Sequence, residues 1–396
     1  MSTSAPKFGV LYVQHTTQAS YYDDWLDAFC EAGAEPYNIF KKSEGRRLKD
    51  NLADLEGLVC LHSTTADNLY YLKSLSPILQ SRKGGLVVFV GNEYNSAGGG
   101  MASKRALLKE LGAQVAASQL LPETCHWLYE EVCEKAMSVP HALNPRVFKS
   151  GPDFSSRSRD LGVRSYRYPT FLGDEERNEL LQRVIEIPNE GGRIDISTTE
   201  RLSREDWCAF LKDSVSTIST EAGSYFLEKD DKTVRALEER YREGGEISSD
   251  SLIYRWGQRL PSKLKRRIRG WLTKTSGALG YEGSWAEKIK FSEIQSEFFP
   301  QENRCPFHSK IISARHLEAI GTGTIQILLE GRYNDLIKPG EHYLELRKDL
   351  GNLSELVDAV REPQQFEEMT RDTREMVLSS HTHRHRVQQV LGELFA

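Results

Sequence analysis

A carboxylate, a guanidinium and an imidazole lie together in the segment SARHLEAIGTGTIQILLEG, residues 313–331. Its second half is rich in Ile and Leu and predicts a buried strand, whereas its first half predicts a helix over 309–320 that ends at Gly321. Helical spacing places Arg315 and Glu318 on one face. A buried carboxylate needs hydroxyl or N–H donors, which the two adjacent hydroxyls of a ribose would supply. An ordinary surface ion pair between Arg315 and Glu318 explains the same spacing equally well.

The bulk properties of the chain are those of an ordinary globular protein. It has 396 residues, of which 28% are charged and 39% hydrophobic, and its formal net charge is −5. This length suits two hydrophobic cores, and the negative charge gives no reason to expect a nucleic acid as partner. The six scattered cysteines form no C-x-x-C pair, which is typical of reduced thiols in a cytoplasm.

Neither a signal peptide nor a membrane span is expected. The N-terminus lacks a charged region followed by a long apolar run. No apolar run approaches the length of about 20 residues that spans a bilayer. We therefore expect a cytoplasmic protein, either free or attached to the inner face of a membrane.

Short apolar runs alternate with amphipathic helical patterns in two successive sets. This alternation predicts parallel strands with helices on both faces of each sheet. We expect a first domain over 1–147, a polar linker over 148–160 and a second domain over 161–379, with a charged, helical insertion over 226–300. The predicted strands cover 8–13, 35–40, 57–63, 86–92, 114–120 and 137–142 in the first domain, and 161–167, 193–198, 215–223, 324–331 and 342–347 in the second.

Two such domains in tandem place a cleft between the carboxyl ends of their strands, which is the usual ligand site of open α/β sheets. HTTQAS (15–20) follows the first strand and GNEYNSAGGG (91–100) follows the fourth. A Gly-rich loop after a strand can bring N–H groups close to a phosphate or a sugar, although three consecutive glycines equally suit a flexible turn. His15, Asn92 and Glu93 are the candidate acceptor ligands or base, with a structural role as the alternative.

Several of these segments resemble the retaining GT-B glycosyltransferases. The segment that begins ARHLEAIGTGTIQILLEG and continues to HTHRHRVQQVL is similar to the group 1 C-terminal domain of that family, and especially to a bacterial branch with the pattern S-S-R-H-x-E-A-I-G-T. MSVPHALNPRVFKSGP resembles the segment that joins the two domains. The resemblance covers most of 85–230 and 305–391. It implies two Rossmann-like domains that face a central cleft, with a final helix, here 380–396, that crosses back to the first domain.

The resemblance implies roles for individual residues. Glu318 matches the glutamate that holds the ribose hydroxyls of a nucleotide-sugar. Arg164 and Arg167 match basic contacts to the diphosphate, whose charge two guanidiniums can offset without a metal. A solvated strand edge is the alternative reading of these two arginines. The remaining residues of the implied donor site are Ser313, Arg315, His316, Gly321 and Thr322.

One departure from the family pattern affects the catalytic role. The family has a second glutamate eight residues before the first, where it contacts the donor sugar, but this chain has Lys310 at that spacing. Glu221, in STEAGS after the third strand of the second domain, is the alternative candidate for this role. The replacement keeps open a catalytically degenerate subunit that binds a sugar or acts as a scaffold. A nucleotide-sugar epimerase of the same fold is a further alternative.

Two further segments suggest binding. HTHRHR (381–386) invites a metal, but alternate spacing on a helix spreads its histidines over roughly 200°. We instead expect Thr382 to cap a helix, and we expect neither a metal nor another cofactor. RLPSKLKRRIRGWLTK (259–274) predicts a helix with an apolar stripe and a basic face, which suits either an anionic membrane or packing against the domain.

The sequence therefore predicts a glycosyltransferase of the hexosyltransferase type. Its donor would be a nucleotide-sugar and its acceptor a glycan or a lipid-linked glycan in surface-polysaccharide biosynthesis. The resemblance implies retention of the anomeric configuration.

Overall fold

The computed structural model describes residues 6–14, 21–66, 69–95, 100–189, 191–241, 289–299 and 304–396. Within these residues the chain forms two α/β domains, each built on a sheet of parallel strands with helices packed against it. This arrangement confirms the predicted fold class.

The first sheet has six strands in the order β2-β1-β3-β4-β5-β6. Each pairing is parallel, and the two faces of the sheet carry separate apolar clusters. The strands are β1 Phe8–Tyr12, β2 Glu35–Asn38, β3 Gly57–Cys60, β4 Gly85–Phe89, β5 Val115–Ser118 and β6 Lys135–Ser138. The helices are α1 Tyr21–Glu31, α2 Lys42–Asn51, α3 Tyr70–Lys73, α4 Ser76–Gln80, α5 Met101–Leu111 and α6 Pro122–Tyr129.

The second sheet has five parallel strands in the order β13-β12-β9-β7-β8, and a short antiparallel pair, β10-β11, lies beside it. The strands are β7 Arg159–Arg164, β8 Ile194–Ser197, β9 Ser214–Ser219, β10 Ala222–Gly223, β11 Lys310–Ile311, β12 Ile325–Leu329 and β13 Leu344–Leu346. The helices are α7 Glu176–Ile185, α8 Arg204–Lys212, α9 Lys232–Tyr241, α10 Phe291–Phe298, α11 Ala314–Thr322, α12 Leu353–Ala359, α13 Glu367–Ser380 and α14 His383–Leu394.

The last helix, α14, packs against the sheet of the first domain. Val387, Val390 and Leu394 join the apolar cluster on one face of that sheet. Close approach is possible because two strands present glycine to the helix. A Cβ atom at Gly57 would lie 2.7 Å from the Leu394 side chain, and one at Gly85 would lie 3.0 Å from it. β1 and α14 therefore belong to the same domain.

The helix that carries Glu318 differs from its predicted bounds. We predicted 309–320, but α11 runs from Ala314 to Thr322 and is capped by Gly323, whose φ is 66°. The residues before it cannot be helical because Lys310–Ile311 pairs with Ala222–Gly223 as an antiparallel strand. Gly321, predicted to end the helix, lies in its last turn.

Two predicted connecting regions can be compared with the structure. β7 already begins at Arg159, so the connection that follows Phe148 is shorter than the predicted 148–160. The described ends of the predicted insertion, α9 and α10, are helical. They pack together through Val234, Leu237 and Ile294. The segment 259–274 lies outside the described residues.

Candidate functional site

A cleft of about 610 Å³ lies where the carboxyl ends of the two sheets meet. The first domain lines it with the loops after β4, β5 and β6, and the second domain with the loops after β7, β8 and β9 and the start of α11. Such a position is the usual ligand site of open parallel sheets because backbone and side-chain polar groups converge there.

Glu318 lines this cleft and is only 8% exposed. The indole N–H of Trp207 donates to its Oε2 at 2.7 Å. Burial raises the pKa of Glu318, whereas the Trp207 bond and the charges of Arg315 and Arg204 oppose the rise. Since Arg315 donates to the carbonyl of Arg164 instead of binding this carboxylate, the surface-ion-pair alternative does not describe the site.

His316 is buried with a defined tautomer. The Ser313 N–H donates to Nδ1 of His316 at 2.9 Å, so this nitrogen is an acceptor. Nε2 then carries the proton and lies 2.9 Å from Ser219 Oγ, to which it donates. Burial lowers the pKa of His316 to about 3, so the ring is neutral. Ser219 lines the cleft, and its own hydroxyl proton is available for an acceptor there.

Arg164 lies where we predicted, at the end of β7 and facing the cleft, whereas Arg167 does not. Arg164 lines the cleft, but its guanidinium lies 2.9 Å from Asp195 Oδ1 and 2.7 Å from Glu200 Oε2. These two carboxylates neutralise the positive charge of Arg164, which we expected to bind a diphosphate. Arg167 is exposed outside the cleft lining and donates to Gln182 at 3.1 Å, because β7 already ends at Arg164.

A third arginine of the cleft wall lies near Arg315. Arg177, in the first turn of α7, lines the cleft with its guanidinium 3.8 Å from the centre of the Tyr168 ring. Desolvation and the charge of Arg177 lower the pKa of Arg315, against the opposing effect of Glu318. The positive charges of Arg177 and Arg315 therefore reinforce each other, and they form a favourable site for an anion. Sequence reasoning missed Arg177 because ERNELL resembles any charged helix start.

Glu221 does not reach the cleft lining. Its carboxylate accepts the Tyr333 N–H at 2.7 Å and lies 3.1 Å from His308 Nε2. Its neighbours Thr220 and Ala222 line the cleft instead. The prediction that Glu221 contacts the donor sugar is therefore not supported by its position, since it is directed at the turn after β12.

Lys310 is also directed away from the cleft lining. Its side chain is fully buried, with Nζ 2.8 Å from Asp174 Oδ2 and close to Glu176 as well. Burial by itself would lower the pKa of Lys310, but the charges and hydrogen bonds of Asp174 and Glu176 outweigh the effect of burial and raise this pKa. This cluster joins β11 to the start of α7. The position eight residues before Glu318, where the resemblance implies a carboxylate that contacts the sugar, therefore holds a buried lysine instead.

Two predicted donor residues have packing roles. A Cβ atom at Gly321 would lie 2.6 Å from Leu143 and 2.8 Å from the Phe148 carbonyl oxygen, so α11 touches the segment between the domains. The Thr322 hydroxyl donates to the Ala319 carbonyl at 3.0 Å. Neither residue is part of the cleft lining.

The acceptor-side residues are only partly described. His15 lies outside the described residues, whereas Asn92 and Glu93 both line the cleft. Asn92 has a φ of 53°, which turns the chain after β4. The Glu93 carboxylate accepts from Tyr129 at 2.6 Å and from Ser118 at 2.7 Å. These bonds fix the loop after β4, which is a structural role.

HTHRHR begins a helix, as predicted. The Thr382 N–H donates to His385 Nδ1 at 3.2 Å, and this reciprocal cap starts α14. His383 packs edge-on against Trp25, with ring centres 4.9 Å apart. In the part of the chain that the structure describes, no group of three or more His, Cys, Asp or Glu side chains is arranged to hold a metal ion.

A contact between the domains closes one side of the cleft. Asp24, on α1, is 3% exposed and accepts from Asn144 at 2.7 Å. Arg204, the first residue of α8, forms an ion pair with the same carboxylate. The pair connects the N-terminal domain to the wall that carries Trp207.

Comparison with known proteins supports the fold. Residues 285–392 match a family model described as glycosyl transferase-like. No curated protein matches the sequence. The crystal structure of Anabaena Alr3699/HepE in complex with UDP-glucose is similar over 98% of this chain and 99% of that one, with 7% identity and a TM-score of 0.50. TarM is similar over 89% of this chain and 57% of its own, with 9% identity and a TM-score of 0.42. The likeness to HepE confirms the GT-B fold.

Proposed function

We propose that the protein is a glycosyltransferase that moves a sugar from a nucleotide-sugar to an acceptor hydroxyl. The observation that carries the proposal is the Glu318 carboxylate, which is held in the cleft wall at 8% exposure. A carboxylate there can accept both hydroxyls of a ribose, which offsets the cost of its burial. The family-model match over 285–392 includes this residue, and the similar HepE structure contains UDP-glucose.

The donor diphosphate would lie between Arg177 and Arg315, at the N-terminus of α11. Guanidiniums and helix N-termini both favour anions. Ser219 lines the same cleft and can donate its hydroxyl proton to a phosphate oxygen. These groups would neutralise charge on the departing diphosphate, so we propose that the reaction needs no divalent ion.

The reaction would proceed on one face of the donor sugar, with retention of configuration. The bond between the anomeric carbon and the diphosphate oxygen breaks, and the acceptor oxygen bonds to the same carbon. The acceptor proton passes to the departing phosphate, so no base from the chain is required. The acceptor would approach from the first domain, where Asn92 lines the cleft.

A catalytically degenerate sugar-binding or scaffold subunit is the second candidate. The positions of Lys310 and Glu221 favour it, because neither places a side chain in the cleft lining where the family has its sugar-contact carboxylate. A nucleotide-sugar epimerase of the same fold is a third candidate. Product analysis with and without an acceptor separates it from a transferase.

A thermal-shift screen of nucleotide-sugars tests the donor site. A ligand at 100 times its Kd should stabilise the protein by about 2.7 kcal/mol. Glu318→Gln should weaken the nucleotide that binds by about 1.5–3 kcal/mol in calorimetry, because it loses a charged acceptor. Unchanged affinity would contradict the donor assignment. If the wild type binds but does not hydrolyse or transfer the donor, the degenerate subunit is the better description.

We also propose a cytoplasmic location at the inner face of a membrane, with a lipid-linked glycan of a surface polysaccharide as acceptor. Within the described residues no helix has the length and apolar character to cross a bilayer. The support is the sequence of 259–274, in which seven Lys and Arg residues are interspersed with apolar residues at helical spacing. Each basic residue near an anionic surface contributes about 1 kcal/mol.

Liposome sedimentation tests this location. The protein should bind anionic vesicles in low salt and release them in high salt, because salt screens the attraction. Replacing Lys265, Arg266, Arg267 and Arg269 by Glu should abolish binding without unfolding the protein. A wild type that fails to sediment at low ionic strength would show that the acceptor need not be membrane-bound.

A further inference from the structure

The indole of Trp207 is fixed between two neighbours in the wall of the cleft. Its ring stacks on Phe210, with centres 5.7 Å apart and planes at 18°. The guanidinium of Arg315 lies 5.3 Å from the ring centre. Contacts on the indole leave little rotamer freedom, so the direction of its N–H is determined by packing. That N–H is directed at Glu318 Oε2 at 2.7 Å.

An indole N–H donates and cannot accept, so its partner must offer a lone pair. The bond therefore favours the ionised carboxylate, and it orients Oε2. Without this donor, a carboxyl group that is 8% exposed would lose a hydrogen bond inside the wall. The Glu318 side chain could then rotate away from the orientation in which it accepts both ribose hydroxyls.

We propose that Trp207 is a positioning residue of the donor site. It holds the ionised Glu318 carboxylate in the orientation that accepts the ribose hydroxyls. In this way it sets the preference of the site for ribonucleotides over 2′-deoxyribonucleotides. This inference rests on the proposed function, because it requires a nucleotide in the cleft. Trp207 itself acts through Glu318.

Trp207→Phe removes the N–H while it keeps an aromatic ring on Phe210. The probes are UDP, GDP and ADP, and the one that binds most tightly is compared with its 2′-deoxy form by calorimetry. The wild type should prefer the ribonucleotide by about tenfold, which is the effect of one good hydrogen bond. The preference should fall to about two- or threefold in Trp207→Phe and should vanish in Glu318→Gln.

The double variant shows whether Trp207 acts through the carboxylate. Trp207→Phe in the Glu318→Gln background should cause no further loss of ribonucleotide affinity, since interacting residues are not additive. Additive losses would mean that Trp207 has its own contact with the nucleotide, and this would overturn the positioning role.

The pH profile is a second readout that simple packing would not change. Burial raises the pKa of Glu318, and Trp207 opposes this rise. Ribonucleotide affinity should fall as pH drops through that pKa, and the fall should begin at a higher pH in Trp207→Phe. Arg315 on α11, with Arg204 and the Cys208 thiol on α8, also faces the carboxyl and is present in both proteins.

Trp127→Phe is the matched control, because Trp127 lies on α6 beneath Lys229 and is not part of the cleft lining. It should bind both nucleotides as the wild type does. Full ribose preference and an unshifted profile in Trp207→Phe would overturn the inference while leaving the donor site intact. Full preference in Glu318→Gln would instead contradict the proposed function itself.

Discussion

At the residue scale, the partners of each arginine decide whether it can meet an anion. Arg164 and Arg204 line the cleft but are already paired with carboxylates of the protein. Arg177 instead packs over the ring of Tyr168 and lies near Arg315. We therefore assign Arg177 and Arg315 to a ligand that carries two phosphates.

Arg177→Ala tests this assignment. The variant should bind the tightest nucleoside diphosphate of the UDP, GDP and ADP panel at least tenfold more weakly than the wild type, because it loses a charged hydrogen bond worth about 1.5–3 kcal/mol. The corresponding nucleoside, which has no phosphate, should bind both proteins equally in calorimetry. Arg167→Ala is the control, since Arg167 lies outside the cleft lining and should leave both affinities unchanged. Equal losses in the two variants would refute the assignment.

At the element scale, α11 reaches the connection between the domains through a glycine. Gly321→Ala should lower the free energy of unfolding by about 1–3 kcal/mol, because its methyl group would meet the backbone of Phe148 at 2.8 Å. Gly392→Ala makes the same change in α14, where a Cβ atom has no neighbour within 4 Å. It should stabilise the protein by about 0.5–1 kcal/mol. Urea unfolding of both variants measures the difference, and equal effects would mean that α11 can move away from Phe148.

The same elements show how far sequence reasoning extends. Apolar runs separated by amphipathic helices were enough to predict the strands of the two parallel sheets in chain order, because both signals are local, but not the short pair β10 and β11. The start of α11 was wrong because Lys310–Ile311 pairs with Ala222–Gly223, which is distant in the chain. Glu318 could be found from its motif, whereas Trp207 could not. Its role depends on a contact between α8 and α11 that no spacing within either helix reveals.

At the scale of the whole molecule, the ion pair of Asp24 and Arg204 joins the two domains. Arg204→Met should cost on the order of 3 kcal/mol in urea unfolding, because it leaves the Asp24 carboxylate buried at 3% exposure with one remaining donor. Arg361→Met is the comparison, since Arg361 and Asp358 pair at the surface and such pairs contribute about 0–1 kcal/mol. If the two variants lose similar stability, the interdomain pair is no stronger than a surface contact.

Acid stability is also a property of the whole molecule, because neutral histidines are buried in both domains. Burial lowers the pKa of His141, His316 and His383 to about 3 in each case. Each ring binds its proton near pH 6.5 when unfolded, so the unfolded state gains protons first as the pH falls. Stability present above about pH 6.5 is therefore lost between that pH and about 3. Buried carboxylates with raised pKa values, such as Glu93, act in the opposite direction.

A single substitution isolates one histidine from these opposing terms. Between pH 7 and pH 5, one imidazole shifted to a pKa of about 3 should lower the free energy of unfolding by about 2 kcal/mol. His383→Gln removes that titration, so its stability should fall by about 2 kcal/mol less than that of the wild type over the same interval. Urea unfolding at pH 7, 6 and 5 measures both slopes. If the free energy of unfolding changes equally with pH in both proteins, His383 has a similar pKa in the folded and unfolded states. Its packing against Trp25 would then not keep the ring neutral.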